Sequence, residues 1–290
     1  MTKWLITFGV IFVLCIAEWI REILTFKITH YEIVSEKLNT LREEKKIIFL
    51  TDLHNNSYGK ENTRLLSAIH RQRPDLILIG GDMLIGKPEA STKVAEDFLC
   101  SLSQICPVYY ANGNHEQRLK IYSEKFGTKY RDYKDKICDS GIHFLENEQV
   151  ELSFDNCAVQ LTGLEIPREG YKKFYKTTIS LEQIEECIGK VDSSKFQILL
   201  AHNPIYADTY LKWGADLVLS GHLHGGVVRV PGLGGVITPQ FRLFPKYSGE
   251  HTLKNNQSIV VSKGLGTHTI KIRFLNPAEV IVLHLHGKKI

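Results

Sequence analysis

No C-x-x-C pair occurs among the six cysteines, which stand apart at Cys15, Cys100, Cys106, Cys138, Cys157 and Cys187. Without that spacing there is no zinc knuckle, and the scattered positions give no disulfide framework. Cys15 lies in an apolar segment, so an odd number is left for the rest of the chain, and reduced thiols fit best. A strong charge of either sign is missing too. The net +4 over 290 residues gives no reason to expect a nucleic-acid partner. Internal repeats and low-complexity linkers are absent. What remains is enough chain for one large domain or two modest ones, with a buried core.

The N-terminus differs in character from everything after it. WLITFGVIFVLCIAEWI (4–20) is almost continuously apolar, with Lys3 before it and Arg21 after it. Its length lies near the lower limit of the ~17–25 residues that span a bilayer, and Trp4 and Trp19 suit the two interfaces. A cleaved signal peptide would end in a small-residue site of the A-x-A kind, which does not follow. Leu14 before Cys15 disfavours lipidation, and a stretch apolar all round makes a poor core helix. The expectation is a membrane anchor over residues 1–25, a connecting segment over 26–44 and a folded domain over 45–290. Basic residues flank both ends of the anchor, so charge sets no orientation. The dispersed thiols point weakly to a reducing compartment.

From residue 45 onward, short apolar runs alternate with amphipathic stretches. IIFL (47–50) reads as a strand, KENTRLLSAIHRQRP (60–74) as a helix ended by Pro74, and DLILIGGD (75–82) as a strand. STKVAEDFLCSLSQI (91–105) reads as a helix, and PVYYANGNHE (107–116) as a third strand running into a turn. This βαβαβ pattern implies parallel strands joined by crossover helices. Further strands are expected at 157–164, 196–204, 215–222, 258–264 and 278–285, so a two-sheet core with helices outside is expected. Residues 117–145 and 168–176, rich in Lys, Arg and Tyr, read as a solvated helix and a surface loop rather than as a rim for an anionic substrate.

Polar residues recur at one kind of place, immediately after each apolar strand. The ends are Asp52-Leu53-His54, Gly81-Asp82, Gly113-Asn114-His115-Glu116, His202-Asn203 and Gly221-His222-Leu223-His224. In open α/β sheets ligands bind beyond the carboxyl ends of the strands, so these five ends converge on one cleft. Carboxylate, amide oxygen and imidazole, without thiolate, suit Mn, Fe, Zn or Co rather than a structural cysteine site. The ligands are too many for one ion, whereas two ions sharing a carboxylate use them all. Such ion pairs, ~3.5–4 Å apart, clamp a phosphoryl oxygen and present a hydroxide in line.

The order D-x-H, G-D, G-N-H-E, H, G-H-x-H resembles the calcineurin-like metallophosphoesterase superfamily, from about residue 45 to the C-terminus. The stretches AHNP, GHLHGGVVRVPG and SKGLGTHTIKIRFLNPAEV look like its bacterial membrane-associated phosphodiesterases, the YkuE and YaeI branch. The resemblance implies a four-layer α/β/β/α sandwich of two mixed sheets flanked by helices, an α/β fold preceded here by one transmembrane helix. It implies two divalent metal ions, the first held by Asp52, His54 and His224. The second falls to Asn114, His202 and His222, with Asp82 as the bridge. His115 matches the position that stabilises the transition state or protonates the leaving oxygen, while Glu116 and Asn203 match positions that orient their neighbours.

Departures from the pattern are Leu223, where many relatives have Thr, and Val227, where they have Gln. Both remove polar groups from near the expected site, which bears on substrate class. No Arg follows the G-D motif, which disfavours the protein-phosphatase branch. His251, His268, His284 and His286 read best as ordinary surface or core histidines, His268 being the one for which a pocket position stays an alternative. The expected function is hydrolysis of a phosphoester, a diester before a protein monoester, with a metal-bridging hydroxide as nucleophile and His115 as general acid. Its substrate is a small-molecule or lipid-linked phosphoester met at the membrane. The alternatives are a lipid-precursor pyrophosphate hydrolase of the UDP-diacylglucosamine type and a non-catalytic metal-binding scaffold. Scaffolds of this superfamily have usually lost ligands or the acid histidine, and this chain has kept both.

Overall fold

The computed structural model describes residues 2–172, 177–226, 228–230, 232–238, 243–267 and 272–288. Helix α1 (Thr2–Leu24) leads into β1 (Phe26–Ser35). An alternating run follows: β2 (Lys45–Leu50), α2 (Thr63–Gln72), β3 (Leu76–Ile79), α3 (Lys93–Leu102) and β4 (Val108–Ala111). Three short helices, α4 (Asn114–Ile121), α5 (Ser123–Phe126) and α6 (Lys129–Asp139), lead to β5 (His143–Leu145). Next come β6 (Glu148–Phe154), β7 (Cys157–Leu164), α7 (Leu181–Ile188), β8 (Phe196–Ala201), α8 (Ala207–Trp213) and β9 (Leu217–Ser220). The chain ends through β10 (Arg229–Val230), β11 (Gly234–Gly235), β12 (His251–Lys254), β13 (Gln257–Val261) and β14 (Ala278–Gly287).

Two six-stranded sheets form, in the orders β1-β14-β2-β3-β4-β5 and β12-β13-β9-β8-β7-β6. The βαβ units make the middle of each sheet parallel, with antiparallel pairs at β14–β2, β12–β13 and β6–β7. Strand alternation sorts the apolar side chains into layers. In β2, Ile47 and Phe49 face the second sheet while Ile48 and Leu50 face helices α2, α3 and α6. In β8, Ile198 and Leu200 face the first sheet while Leu199 and Ala201 face α7 and α8. The result is the expected α/β/β/α sandwich, whose fully buried side chains each contribute about 1.5–3 kcal/mol.

Three expectations change. Residues 26–44, read as a connecting segment, carry β1, which runs in register with β14 from Phe26↔Ala278 to Ser35↔Gly287. Within 117–145 the charged positions are solvated, yet Leu119, Tyr133 and Ile137 are buried against the first sheet. The third change lies in the loop after β9. Leu223 is fully buried, so it offers a substrate neither surface nor a hydrogen bond. Val227 and His268 lie outside the described residues.

Helix α1 packs differently from the rest. Its apolar window is entirely unburied, and it is long and apolar enough to cross a membrane. Its 23 residues extend about 34 Å, against a hydrocarbon core of about 30 Å.

Candidate metal centre

Both sheets deliver polar residues to one end. Asp52 and His54 follow β2, Asp82 follows β3, and Asn114 and His115 open α4 just past β4. From the second sheet, His202 follows β8, and His222 and His224 follow β9. Backbone pairing continues beyond the strands and fixes these loops: Asp52 N–H donates to Gly81 at 2.9 Å, His54 to Asp82 at 3.1 Å, and Gly221 to His202 at 3.0 Å. Leu265 N–H donates to Thr51 at 3.1 Å, tying the loop after β13 to the loop after β2.

The convergence is close. Potential ligand atoms of Asp52, His54 and His224 lie within 4.8 Å of one another, as do those of Asp82, His202 and His222, and of His54, Asp82 and His115. Asp82 Oδ2 stands 3.1 Å from His202 Nε2, 3.9 Å from His54 Nε2 and 4.0 Å from His115 Nε2. Asp52 Oδ1 stands 3.4 Å from His224 Nε2 and 3.7 Å from His54 Nε2. All of these side chains are buried.

The backbone is strained where it presents them. Asp52, His54, Asp82, His222 and His224 all hold left-handed φ values, between 47° and 67°. Such conformations cost about 1–3 kcal/mol each and persist where surrounding structure enforces them. The glycine before the His-x-His pair serves close approach: a Cβ on Gly221 would stand 2.2 Å from Asp52 Oδ2.

Neighbouring groups set the tautomers. His202 Nδ1 lies 2.6 Å from the Gly80 carbonyl and His224 Nδ1 lies 3.2 Å from that of Gly266. A carbonyl only accepts, so each Nδ1 carries the proton and each Nε2 presents its lone pair to the cluster, as a metal ligand must. His115 is reversed. Gly86 N–H donates to its Nδ1 at 2.7 Å, so in the neutral ring the proton sits on Nε2, facing Asp82. Asn114 Oδ1 is buried without a hydrogen-bond partner. An orphaned amide oxygen beside carboxylates and imidazole lone pairs is a donor set that fits a divalent cation.

Electrostatics point the same way. Burial alone would raise the pKa of Asp82, but the His202 and His115 rings outweigh it and hold the carboxyl well below its ordinary range. Asp52 behaves alike, burial being overcome by His224 and His202. Burial lowers the His202 pKa, yet Asp82 and Asp52 push it up to about 10. Two buried carboxylates demand positive charge nearby.

Surrounding residues lock this geometry. The Glu116 carboxylate accepts the N–H groups of Asp82 at 2.8 Å, Met83 at 2.9 Å and Gly113 at 3.0 Å, and the Tyr110 hydroxyl at 2.7 Å. Asn203 Nδ2 donates to Gly170 at 3.1 Å, and its Oδ1 caps the turn at Ile205. The histidines His251, His284 and His286 bond instead to Ser258, Glu44 and Glu32. Two residues placed by the sequence in a solvated loop lie beside the cluster. Arg168 Nη1 donates to the Asn114 carbonyl at 2.7 Å, and the Tyr171 ring meets His222 edge-on at 5.1 Å. Their composition resembles any charged surface loop, so no sequence signal separates them.

Two sheets bringing buried carboxylates, imidazoles and an amide to one cleft define a metal-binding α/β/β/α protein. Residues 45–226 match the calcineurin-like phosphoesterase model, and the chain belongs to that family. It is 28% identical over 264 residues to an uncharacterized metallophosphoesterase of Aquifex aeolicus, covering 90% of this chain and 92% of the relative. With the metallophosphoesterase Cj0846 of Campylobacter jejuni it is 30% identical over 264 residues, 88% of this chain but 63% of that longer one. It is 26% identical over 215 residues to the phosphodiesterase YaeI of Escherichia coli, covering 72% of each.

Proposed function

We propose that the protein is a two-metal phosphodiesterase held at a membrane by α1. Asp52, His54 and His224 would hold one ion and Asn114, His202 and His222 the other, with Asp82 shared. When bound, the two ions supply Lewis-acid charge to phosphoryl oxygens and an activated water. The observation that carries this reading is Asp82, whose Oδ2 lies within 3.1–4.0 Å of His202, His54 and His115, between the two groups of imidazoles.

The rest is work for the chain's own residues. His115, with Nδ1 taken by Gly86, offers its Nε2 proton to the oxygen that leaves phosphorus. Glu116 fixes the Asp82 backbone and so the direction of its carboxylate. Arg168 steadies Asn114 through its carbonyl.

The purified full chain loaded with Mn²⁺ is expected to hydrolyse bis-p-nitrophenyl phosphate, and Asp82→Ala to abolish that turnover. No turnover of any phosphoester with Mn, Fe, Co or Zn contradicts the proposal. The exposed apolar α1 favours a second substrate, the pyrophosphate of a lipid-linked nucleotide. Turnover of such a substrate in place of simple diesters selects that reading.

A further inference from the structure

Helix α1 is linked through Asn276 to the loop that carries the His-x-His pair. Glu22, in the last turn of α1, is 1% exposed, and its carboxylate accepts the Asn276 backbone N–H at 2.9 and 3.0 Å. Buried Asn276 donates through Nδ2 to the carbonyls of His224 at 2.7 Å and Gly226 at 3.1 Å. A buried carboxylate is costly to strip of its partners, so the helix end and the histidine loop are held as one piece.

Around that joint the surface turns apolar. Among the described residues, six of the ten exposed large hydrophobic side chains outside α1 lie on two segments: Val230, Leu233, Leu243 and Phe244, and Ile272 and Leu275. The segments touch, since Val228 bridges Phe274 and Arg229 N–H donates to the Phe274 carbonyl at 3.2 Å. Leu275, next to Asn276, is 45% exposed and held at φ 54°, while Leu233 is 68% exposed. Exposed apolar side chains gathered on two touching segments mark an interaction surface.

We infer that these two segments lie on the lipid bilayer beside α1, so that the cleft takes its phosphoester from an amphiphile in the membrane. This rests on the reading of α1 as an anchor and of the cluster as a phosphodiesterase site. A bilayer is the occupant because Leu275 adjoins Asn276, whose backbone N–H is bonded to Glu22 at the end of the helix that enters it. Covering the exposed side chains removes apolar surface from water, which favours the contact.

The test uses the full chain in vesicles of phosphatidylethanolamine and phosphatidylglycerol. Leu233→Trp adds one fluorophore, read as the difference from the wild-type spectrum. Blue-shifted emission quenched by lipids brominated near the headgroup is expected, and emission unquenched and water-like overturns the inference. In parallel, the double variant L233D/F244D is expected to lose about tenfold in turnover of a vesicle-borne phosphodiester, relative to its turnover of soluble bis-p-nitrophenyl phosphate. Equal losses or none on the two substrates overturn it. Lipid quenching of the fluorophore added by Leu233→Trp, together with a wild-type chain inactive on every phosphoester, upholds the membrane surface and rejects the phosphodiesterase reading instead.

Discussion

The Gly86 N–H on Nδ1 determines the chemistry of the His115 ring. Because Gly86 N–H occupies Nδ1, the neutral ring has one proton to give, on the atom 4.0 Å from Asp82. His115→Ala is therefore expected to lower kcat by about 10²–10⁴-fold while leaving metal content unchanged. Loss of metal together with activity would make His115 a ligand instead. Glu116 acts at one remove. Replacing it with Ala strands three buried N–H groups at about 1–3 kcal/mol each. A fall in denaturation midpoint that bound metal does not restore is expected, and an unchanged midpoint contradicts that role. At this scale the sequence was legible where a polar residue directly followed an apolar strand. It was illegible at Arg168, because a Lys- and Arg-rich loop reads the same whether it meets solvent or the carbonyl of Asn114.

Elements show a similar division. The strands β2, β3, β4, β8 and β9 announce themselves as apolar runs, since each is buried on both faces. Strand β1 does not. FKITHYEIVS alternates polar and apolar residues as an edge strand does, and its partner is the last strand, β14, with Thr29 opposite Ile281. Only that long-range pairing makes it part of the sheet. Ile33, 2% exposed, faces the core between the sheets. Ile33→Ala is expected to cost about 2–5 kcal/mol by denaturant titration, and a cost near zero would mean that β1 is detachable. The loop after β9 is legible in part. Its histidines reach the cleft, but the residue between them packs inward, because the turn at Leu223 is closed by its N–H on the Gly221 carbonyl at 2.8 Å.

At the scale of the whole molecule, the cluster stores charge that folding must balance. The His202 pKa rises from 6.5 to about 10. In metal-free protein its contribution to stability is thus complete below pH 6.5 and lost as pH climbs toward 10. The chelator-treated chain is expected to melt at progressively lower temperature across that window. A melting temperature flat or rising there contradicts the pairing of His202 with Asp82 and Asp52. Cation binding displaces the same protons, so proton release on metal addition is expected in lightly buffered solution. The most direct measurement is the number of divalent ions held per chain, by elemental analysis of wild type and Asp82→Ala after exhaustive dialysis. Two ions in the wild type and fewer in Asp82→Ala are expected of a site built around a shared carboxylate. A wild type that holds one ion or none, or a variant that keeps both, contradicts it.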